Sequence, residues 1–361
     1  MSKLEELINE LCPEGVEYKE LSTVLKIKNG KDYKQFDTGE IEVYGSGGVM
    51  TYIDTFAYDM PSVLIPRKGS IDKLYYVDKP FWTVDTIFYT EINAMTCIPK
   101  YVYYCLQKEH LEKLNTAGGV PSLTQTVLNK VTIPVPPLEV QREIVRILDN
   151  FTELTAELTA ELEKRQNQYE FYRNELFSNI DKVENIKLSN LVNICTGKLN
   201  ANAMVENGQY LFFTCDENPF RIDTFAFDTE AIIISGNGSK VGHINYYKGK
   251  FNAYQRTYVL SEFNKNVNTK YLLHYLKNKL RDYIILHSRK GSVPYITMPM
   301  LENFIVPIPP LAEQQHIVEI LDRFDTLCND ITTGLPAEIE ARQKQYEHYR
   351  DKLLSFKQKE N

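Results

Sequence analysis

The sequence predicts an α+β protein made twice over. Two homologous mixed α/β domains are joined by two long helices that pair as an antiparallel coiled coil, under a pseudo-two-fold internal repeat. Three observations carry this. First, IPVPPLEVQREIVRILDNF (133–151) returns as VPIPPLAEQQHIVEILDRF (306–324), 173 positions later. Second, other segments return in the same order: IDTFAYD (53–59) as IDTFAFD (222–228), SVLIPRKGS (62–70) as AIIISGNGS (231–239), YVYYCL (101–106) as YLLHYL (271–276), GGVPSLT (118–124) as GSVPYIT (291–297), and RQNQYEFYRNEL (165–176) as RQKQYEHYRDKL (342–353). The offset drifts from 169 through 170 and 173 to 177 without a reversal, which means two homologous halves; the period is far too long for a solenoid. Third, each proline run is followed by apolar residues spaced alternately by four and three.

Taken in order, MSKLEELINELCPEG reads as a short amphipathic helix without the apolar core of a signal peptide, so a cytoplasmic chain is expected. Short runs rich in Val, Ile, Tyr and Phe read as strands: SVLIP, LYYV and TIFYT, then AIIIS, INYY and TYVLS. One helix per half is expected in PKYVYYCLQKEHLEKL and in TKYLLHYLKNKLRDYI. The segments IPVPP and VPIPP are stiff extended joints, because proline fixes φ and donates no N–H. The helical seam of the first copy runs Ile144, Leu148, Phe151, Thr155, Leu158, Leu162, Arg165, Tyr169, Tyr172, Leu176. The second runs Ile317, Leu321, Phe324, Cys328, Ile331, Leu335, Ile339, Arg342, Tyr346, Tyr349, Leu353, with two consecutive spacings of four, a stutter, at Gly334 and Pro336, where the helix should bend or break. The seam tyrosines fit helix packing far better than stacking on bases. Four segments result: globular 1–137, helical 138–180, globular 181–310 and helical 311–361. A pseudo-dyad would set the helices antiparallel and hold two similar globules apart on a stiff rod.

Composition is that of a water-soluble globular protein, 43% hydrophobic and 25% charged, with no apolar run near the ~20 residues of a membrane helix. The net charge of −7 hides a pattern: −4, −4, +4 and −3 over the four segments, so only residues 181–310 are basic. A DNA-binding field would therefore be local or supplied partly by partner chains. The six cysteines form no CxxC pair and do not sit beside histidines, so neither a zinc site nor a disulfide framework is expected.

Nothing in the sequence announces chemistry. Gly30-Lys31 and Gly197-Lys198 lack the rest of a phosphate-binding loop, and GSGG (45–48) has no βαβ context. ENPF (217–220) is similar to the amine-holding motif of amino-methyltransferases, but one proline is missing and no cofactor-binding half precedes it, so it reads as a turn between strands.

The paired GGVPSLTQTVLNKVTIPVPPLEVQREIVRILDNF segment and the paired RQ-x-QYE-x-YR helices resemble the specificity subunit of type I restriction-modification systems, over essentially the whole chain. The resemblance implies that 1–137 and 181–310 are target-recognition domains, each reading one half of a bipartite site in double-stranded DNA. It implies that 138–180 and 311–361 set the unread spacer and dock two methyltransferase subunits, which restriction-translocation subunits then join. It implies no catalysis by this chain, with S-adenosylmethionine, ATP and Mg on partner subunits, and no metal here. DNA readers need cations for phosphates and Arg, Lys, Asn or Gln for base edges. The loops that offer them carry Gly45, Ser46, Gly47, Arg67, Lys68 and Ser70 in the first domain, and Asn237, Ser239, Lys240, Gln255, Arg256, Arg289 and Lys290 in the second. The competing reading is a helical scaffold without sequence-specific DNA binding.

Overall fold

The structure is a computed structural model that describes residues 3–115, 119–178, 180, 183–287 and 294–360. The chain forms two compact units, Met1–Thr159 with Glu338–Asn361, and Ala160–Ala337. These cut across the four sequential segments, because each unit takes half of each helical repeat.

The first unit begins with α1 (Lys3–Leu11), β1 (Tyr18–Glu20), α2 (Leu21–Val24) and β2 (Leu25–Asn29). The hairpin β3 (Ile41–Gly45) and β4 (Gly48–Ile53) follows, then β5 (Ser62–Pro66), β6 (Tyr75–Val77), β7 (Phe81–Thr83) and β8 (Ile87–Ile92). Next come α3 (Pro99–Lys108), α4 (Gln125–Leu128), β9 (Thr132–Pro134) and the start of α5 (Leu138–Ser178). One sheet has the order β2-β8-β5-β6 and another β4-β3-β7, while β1 pairs antiparallel with β9. SVLIP is a strand with every residue buried, as a continuous apolar run between two covered faces requires. The helix expected over 99–114 stops at Lys108, because His110 turns left-handed (φ 50°) and a 3-10 turn, Leu111–Leu114, follows.

The second unit holds the end of α5, β10 (Glu184–Lys187), β11 (Asn193–Thr196), β12 (Tyr210–Phe213), β13 (Phe220–Ile222), β14 (Phe227–Ser235), β15 (Ile244–Ala253) and β16 (Thr257–Ser261). Then come α6 (Thr269–His287), α7 (Met298–Glu302), β17 (Ile305–Ile308) and α8 (Leu311–Asn329), while α9 (Leu335–Leu353) closes the first unit. Its sheet order, β11-β16-β14-β15-β12-β13, repeats the first unit's two sheets with one difference. The ten-residue β15 takes the place of both β6 and β7: it pairs antiparallel with β14 and parallel with β12, as β6 pairs with β5 and β7 with β3. In the first unit Asp78-Lys79-Pro80 interrupts that strand, since proline has no N–H for the ladder; in the second, Lys248-Gly249-Lys250 carries it through, with Gly249 at φ 138°. β10 pairs with β17 as β1 does with β9.

A buried glutamine ties each proline joint to its domain. Gln141 donates from Nε2 to the carbonyls of Thr96 (2.9 Å) and Pro136 (2.8 Å), and accepts from the Ile98 N–H (2.8 Å). Gln314 donates to Asn266 (2.9 Å) and Pro309 (2.7 Å) and accepts from the Asn268 N–H (2.7 Å). Tyr101 and Tyr271 donate to the Pro134 and Pro307 carbonyls. These bonds satisfy backbone groups that proline-rich extended chain would otherwise leave unpaired in a core.

Beyond the joints the seam has two roles. Ile144 and Leu148 are buried in the first unit's own core beside Tyr101 and Tyr104, and Ile317 and Leu321 in the second beside Tyr271. Further along, the aromatic seam residues meet the other copy. In the first unit Phe151 stacks on Tyr349 (5.3 Å) and Tyr346 packs edge-on to Tyr104. In the second, Tyr169 and Tyr172 both stack on Phe324 (5.9 and 5.8 Å). The start of α5 thus meets α9 and its end meets α8, which is antiparallel order. Each QYE-x-YR motif places an arginine over the tyrosine four residues before it, Arg173 on Tyr169 and Arg350 on Tyr346. Leu158, Leu162, Leu176, Leu335 and Leu353 are half-buried.

One seam assignment is corrected. Ile331 is 75% exposed, because the second repeat is not one helix. α8 ends at Asn329, and Asp330 accepts from the Thr332 N–H (2.7 Å) and from the hydroxyls of Thr332 and Thr333, a turn that competes with helix. Gly334 closes the break where a Cβ would fall 2.4 Å from the Thr326 carbonyl oxygen. Among the described residues no helix is long and apolar enough to cross a membrane.

Candidate nucleic-acid interface

In the first unit the candidate residues converge on one end of the sheets. Ser46 and Gly47 cap the tight β3–β4 hairpin of GSGG, where Gly48 takes φ 115°. The Tyr75 hydroxyl donates to the Ser46 carbonyl (3.1 Å), tying the hairpin to β6. The loop after β5 lies alongside: a Cβ on Gly69 would stand 3.6 Å from Ser46 Oγ. A third segment joins them. Lys68 bridges Ser122, the Gly69 N–H donates to the Pro121 carbonyl, and the Leu123 N–H donates to the Arg67 carbonyl. Lys68 is exposed and Ser70 half-buried, whereas the Arg67 guanidinium lies 5.4 Å from the Phe88 ring centroid, so part of its cationic face is taken up by packing.

The second unit gathers equivalent loops at the equivalent end. The Gly236 N–H donates to the Arg256 carbonyl and the Ile296 N–H to the Gly236 carbonyl, which joins the loop after β14, the β15–β16 turn and the segment before α7. Asn237 is half-buried, and Ser239, Lys240, Gln255 and Arg256 are exposed. Arg289 and Lys290 lie outside the described residues. Lys240 is not a free cation: its Nζ pairs with Glu217 Oε1 at 2.6 Å. That glutamate opens the ENPF turn between β12 and β13, the place of the GSGG hairpin in the other unit.

Three features were hidden in the sequence. Cys215 Sγ lies 3.0 Å from Asn237 Oδ1 and so orients that carboxamide; a lone cysteine among polar residues gives no sign of this. Lys277 and Arg281 of α6 line, with Glu217, Lys240 and His243, a groove of about 430 Å³ that continues from the candidate loops. They read only as the polar face of an amphipathic helix. The matching groove of the first unit carries more acid and less base, with Asp72, His110, Glu112 and Arg350. Finally, Gly30-Lys31 and Gly197-Lys198 occupy one structural position. A Cβ on Gly30 would come 2.0 Å from the Val84 carbonyl oxygen, and one on Gly197 equally close to that of Ala253, so these glycines are where β2 and β11 pass under the neighbouring turn.

Equivalent loops thus stand at equivalent sheet ends with different side chains. The family model for the type I restriction modification DNA specificity domain matches residues 13–165 and again 180–341. The chain belongs to that family. The specificity subunit of the EcoR124I/EcoR124II type I restriction enzyme of Escherichia coli is 32% identical over 99% of this chain and 97% of its own length. A putative type I restriction enzyme specificity subunit of Haemophilus influenzae is 31% identical over 94% and 96%. The solved S subunit of the type I restriction-modification system of M. genitalium aligns with a TM-score of 0.65 at 18% identity, covering 94% of this chain and 96% of that one, a likeness of fold. The chain is therefore a DNA sequence-recognition subunit of the type I restriction-modification kind. Each of the two matched stretches carries one of the loop clusters above.

Proposed function

We propose that each domain of this specificity subunit reads one half of a bipartite DNA site through its loop cluster. Ser46, Lys68 and Ser70 serve one half-site, and Asn237, Ser239, Gln255 and Arg256 the other, with Arg289 and Lys290 as further candidates. The observation that carries this is the position of the divergent loops: they share one end of two sheets whose strand order is otherwise repeated. Side chains at a sheet end reach base edges, while glycine-rich backbone such as 45–48 approaches phosphates closely.

The helical repeats set the spacer and dock two methyltransferase subunits, to which restriction-translocation subunits add. α5 alone, 41 residues long, spans about 60 Å at 1.5 Å per residue, enough to bridge half-sites one turn of DNA apart, about 34–36 Å. S-adenosylmethionine, ATP and Mg are bound by those partners. Domain exchange tests the reading: replacing 185–305 with the corresponding domain of another family member should change one half of the methylated motif and leave the other intact. A change in both halves would refute independent reading, and methyl transfer by the isolated chain would refute the division of labour.

A further inference from the structure

The segment that the two halves share most closely outside the helices is IDTFAYD at 53–59 and IDTFAFD at 222–228. The fold accounts for part of it. Ile53 and Ile222 are buried. The N–H groups of Ala57 and Ala226 donate to the carbonyls of Phe81 and Phe251. Tyr58 packs on Phe81 and Phe227 on Phe251. Thr224 accepts from Asn252 Nδ2 at 3.3 Å.

Among the described residues Phe56 and the aspartates have no such role in the fold, and Phe225 has only a partial one. Phe56 is 50% exposed and Phe225 43% exposed, although Tyr210 and Lys250 lie against the latter. Asp54, Asp59, Asp223 and Asp228 are exposed, and their carboxylates make no hydrogen bond or ion pair among the described residues. An exposed phenylalanine between two free carboxylates, kept in both halves while the neighbouring loops diverge, points to an occupant that is the same for both domains.

DNA does not fit. Paired carboxylates repel phosphates. The segment also lies at the far end of the strands from the recognition loops: β14 runs from Phe227 beside it to Ser235 beside Gly236, roughly 26 Å at ~3.3 Å per residue. In the first unit β4 joins the same two ends in the reverse direction, from Gly48 of the hairpin to Ile53 of the segment. A protein partner present once per domain does fit, with an apolar pocket for the ring and cations on its rim.

We propose that 54–59 and 223–228 are twin docking points for two copies of the methyltransferase subunit, Phe56 and Phe225 being the buried anchors. This rests on the reading of the chain as a specificity subunit served by methyltransferase subunits. The test uses the full chain and the methyltransferase subunit of its own system, with stoichiometry and affinity read by native mass spectrometry and titration. The wild type binds two copies. Phe56→Ala with Asp54→Lys, and separately Phe225→Ala with Asp223→Lys, should each weaken one of the two binding events at least tenfold. The melting temperature and DNA binding of the isolated chain should stay unchanged. Two copies held by both variants as tightly as by the wild type would overturn the docking points and leave the proposed function standing. Equal loss of DNA binding by the isolated variants would overturn them too, in favour of a nucleic-acid contact. A wild-type chain that binds no methyltransferase subunit would overturn the functional reading itself.

Discussion

The ring of Phe151 stacks on that of Tyr349, centroids 5.3 Å apart and planes 24° apart; in the second unit Phe324 and Tyr172 form the matching pair at 5.8 Å and 28°. Each phenylalanine ends the ILD-x-F motif of one repeat, and each tyrosine belongs to the QYE-x-YR motif of the other. The repetition in the sequence thus has a packing cause: the first motif of each copy needs the second motif of its counterpart. Phe151→Ala and Phe324→Ala should each cost about 2 kcal/mol, below the roughly 3–5 kcal/mol of a fully buried ring because both are half-exposed. Urea unfolding measures this, and Tyr349→Phe, which keeps the ring, should cost little.

Gln141 and Gln314 make three hydrogen bonds each from buried positions. Gln141→Leu fits the volume and leaves the Ile98 N–H and two carbonyls without partners. The expected loss is about 3 kcal/mol, since an orphaned buried group costs roughly 1–3 kcal/mol. Gln314→Leu should behave alike. Hydrogen exchange at Ile98 and Asn268 should accelerate in the respective variant; unchanged protection there would refute the tie.

The two units differ in how the domain helix grips the repeat helix. Tyr104 donates to Asp149 Oδ1 in one, and His274 Nε2 lies 2.8 Å from Asp322 Oδ1 in the other, with Lys100 and Lys270 on the second carboxylate oxygens. Burial holds the His274 imidazole below its ordinary 6.5, despite the opposing pull of Asp322. Burial alone would raise the Asp322 carboxyl, but the bonds from Lys270 and His274 outweigh it and the net direction is down. The unfolded chain therefore binds the histidine proton more readily than the native one. The second unit's stability is whole above about 6.5 and falls as pH drops below it, with a further loss once Asp322 titrates. His274→Tyr, which copies the first unit, should flatten the stability curve between about pH 5 and 7. An unchanged slope would refute the assignment.

Base-reading and phosphate-holding residues should separate by salt dependence. Asn237→Ala should relax the methylated motif at one base position of one half-site, by about 1–3 kcal/mol of discrimination. Cys215→Ala, which releases the Asn237 carboxamide, should blur the same position. Lys277→Gln and Arg281→Gln should weaken all sequences alike and reduce the slope of log K against log salt by ~0.9 for each phosphate no longer neutralised. Binding curves of the assembled complex at several salt concentrations measure both effects.

Much of the architecture was legible because it was written twice. Comparison of the chain with itself located SVLIP and AIIIS as matching buried strands, which they are as Ser62–Pro66 and the end of Phe227–Ser235. The stutter at Gly334 and Pro336 marked the break between α8 and α9, yet not its consequence for Ile331, because the heptad count assumes an unbroken helix. Residue type alone singled out the candidate loops. It could not tell that Lys240 is neutralised by Glu217, or that Arg67 lies on Phe88, since both partners are distant along the chain.

By itself the sequence determined the duplication, the proline joints, the helical repeats and the family, because periodicity and self-similarity are properties of a chain read in order. Only the tertiary structure decided which copy's motif packs on which, and which loops share a sheet end. It also decided which of the repeated side chains face solvent. Those facts depend on packing between residues far apart in the chain, and hydrophobic pattern sets which face is buried without naming the partner that buries it.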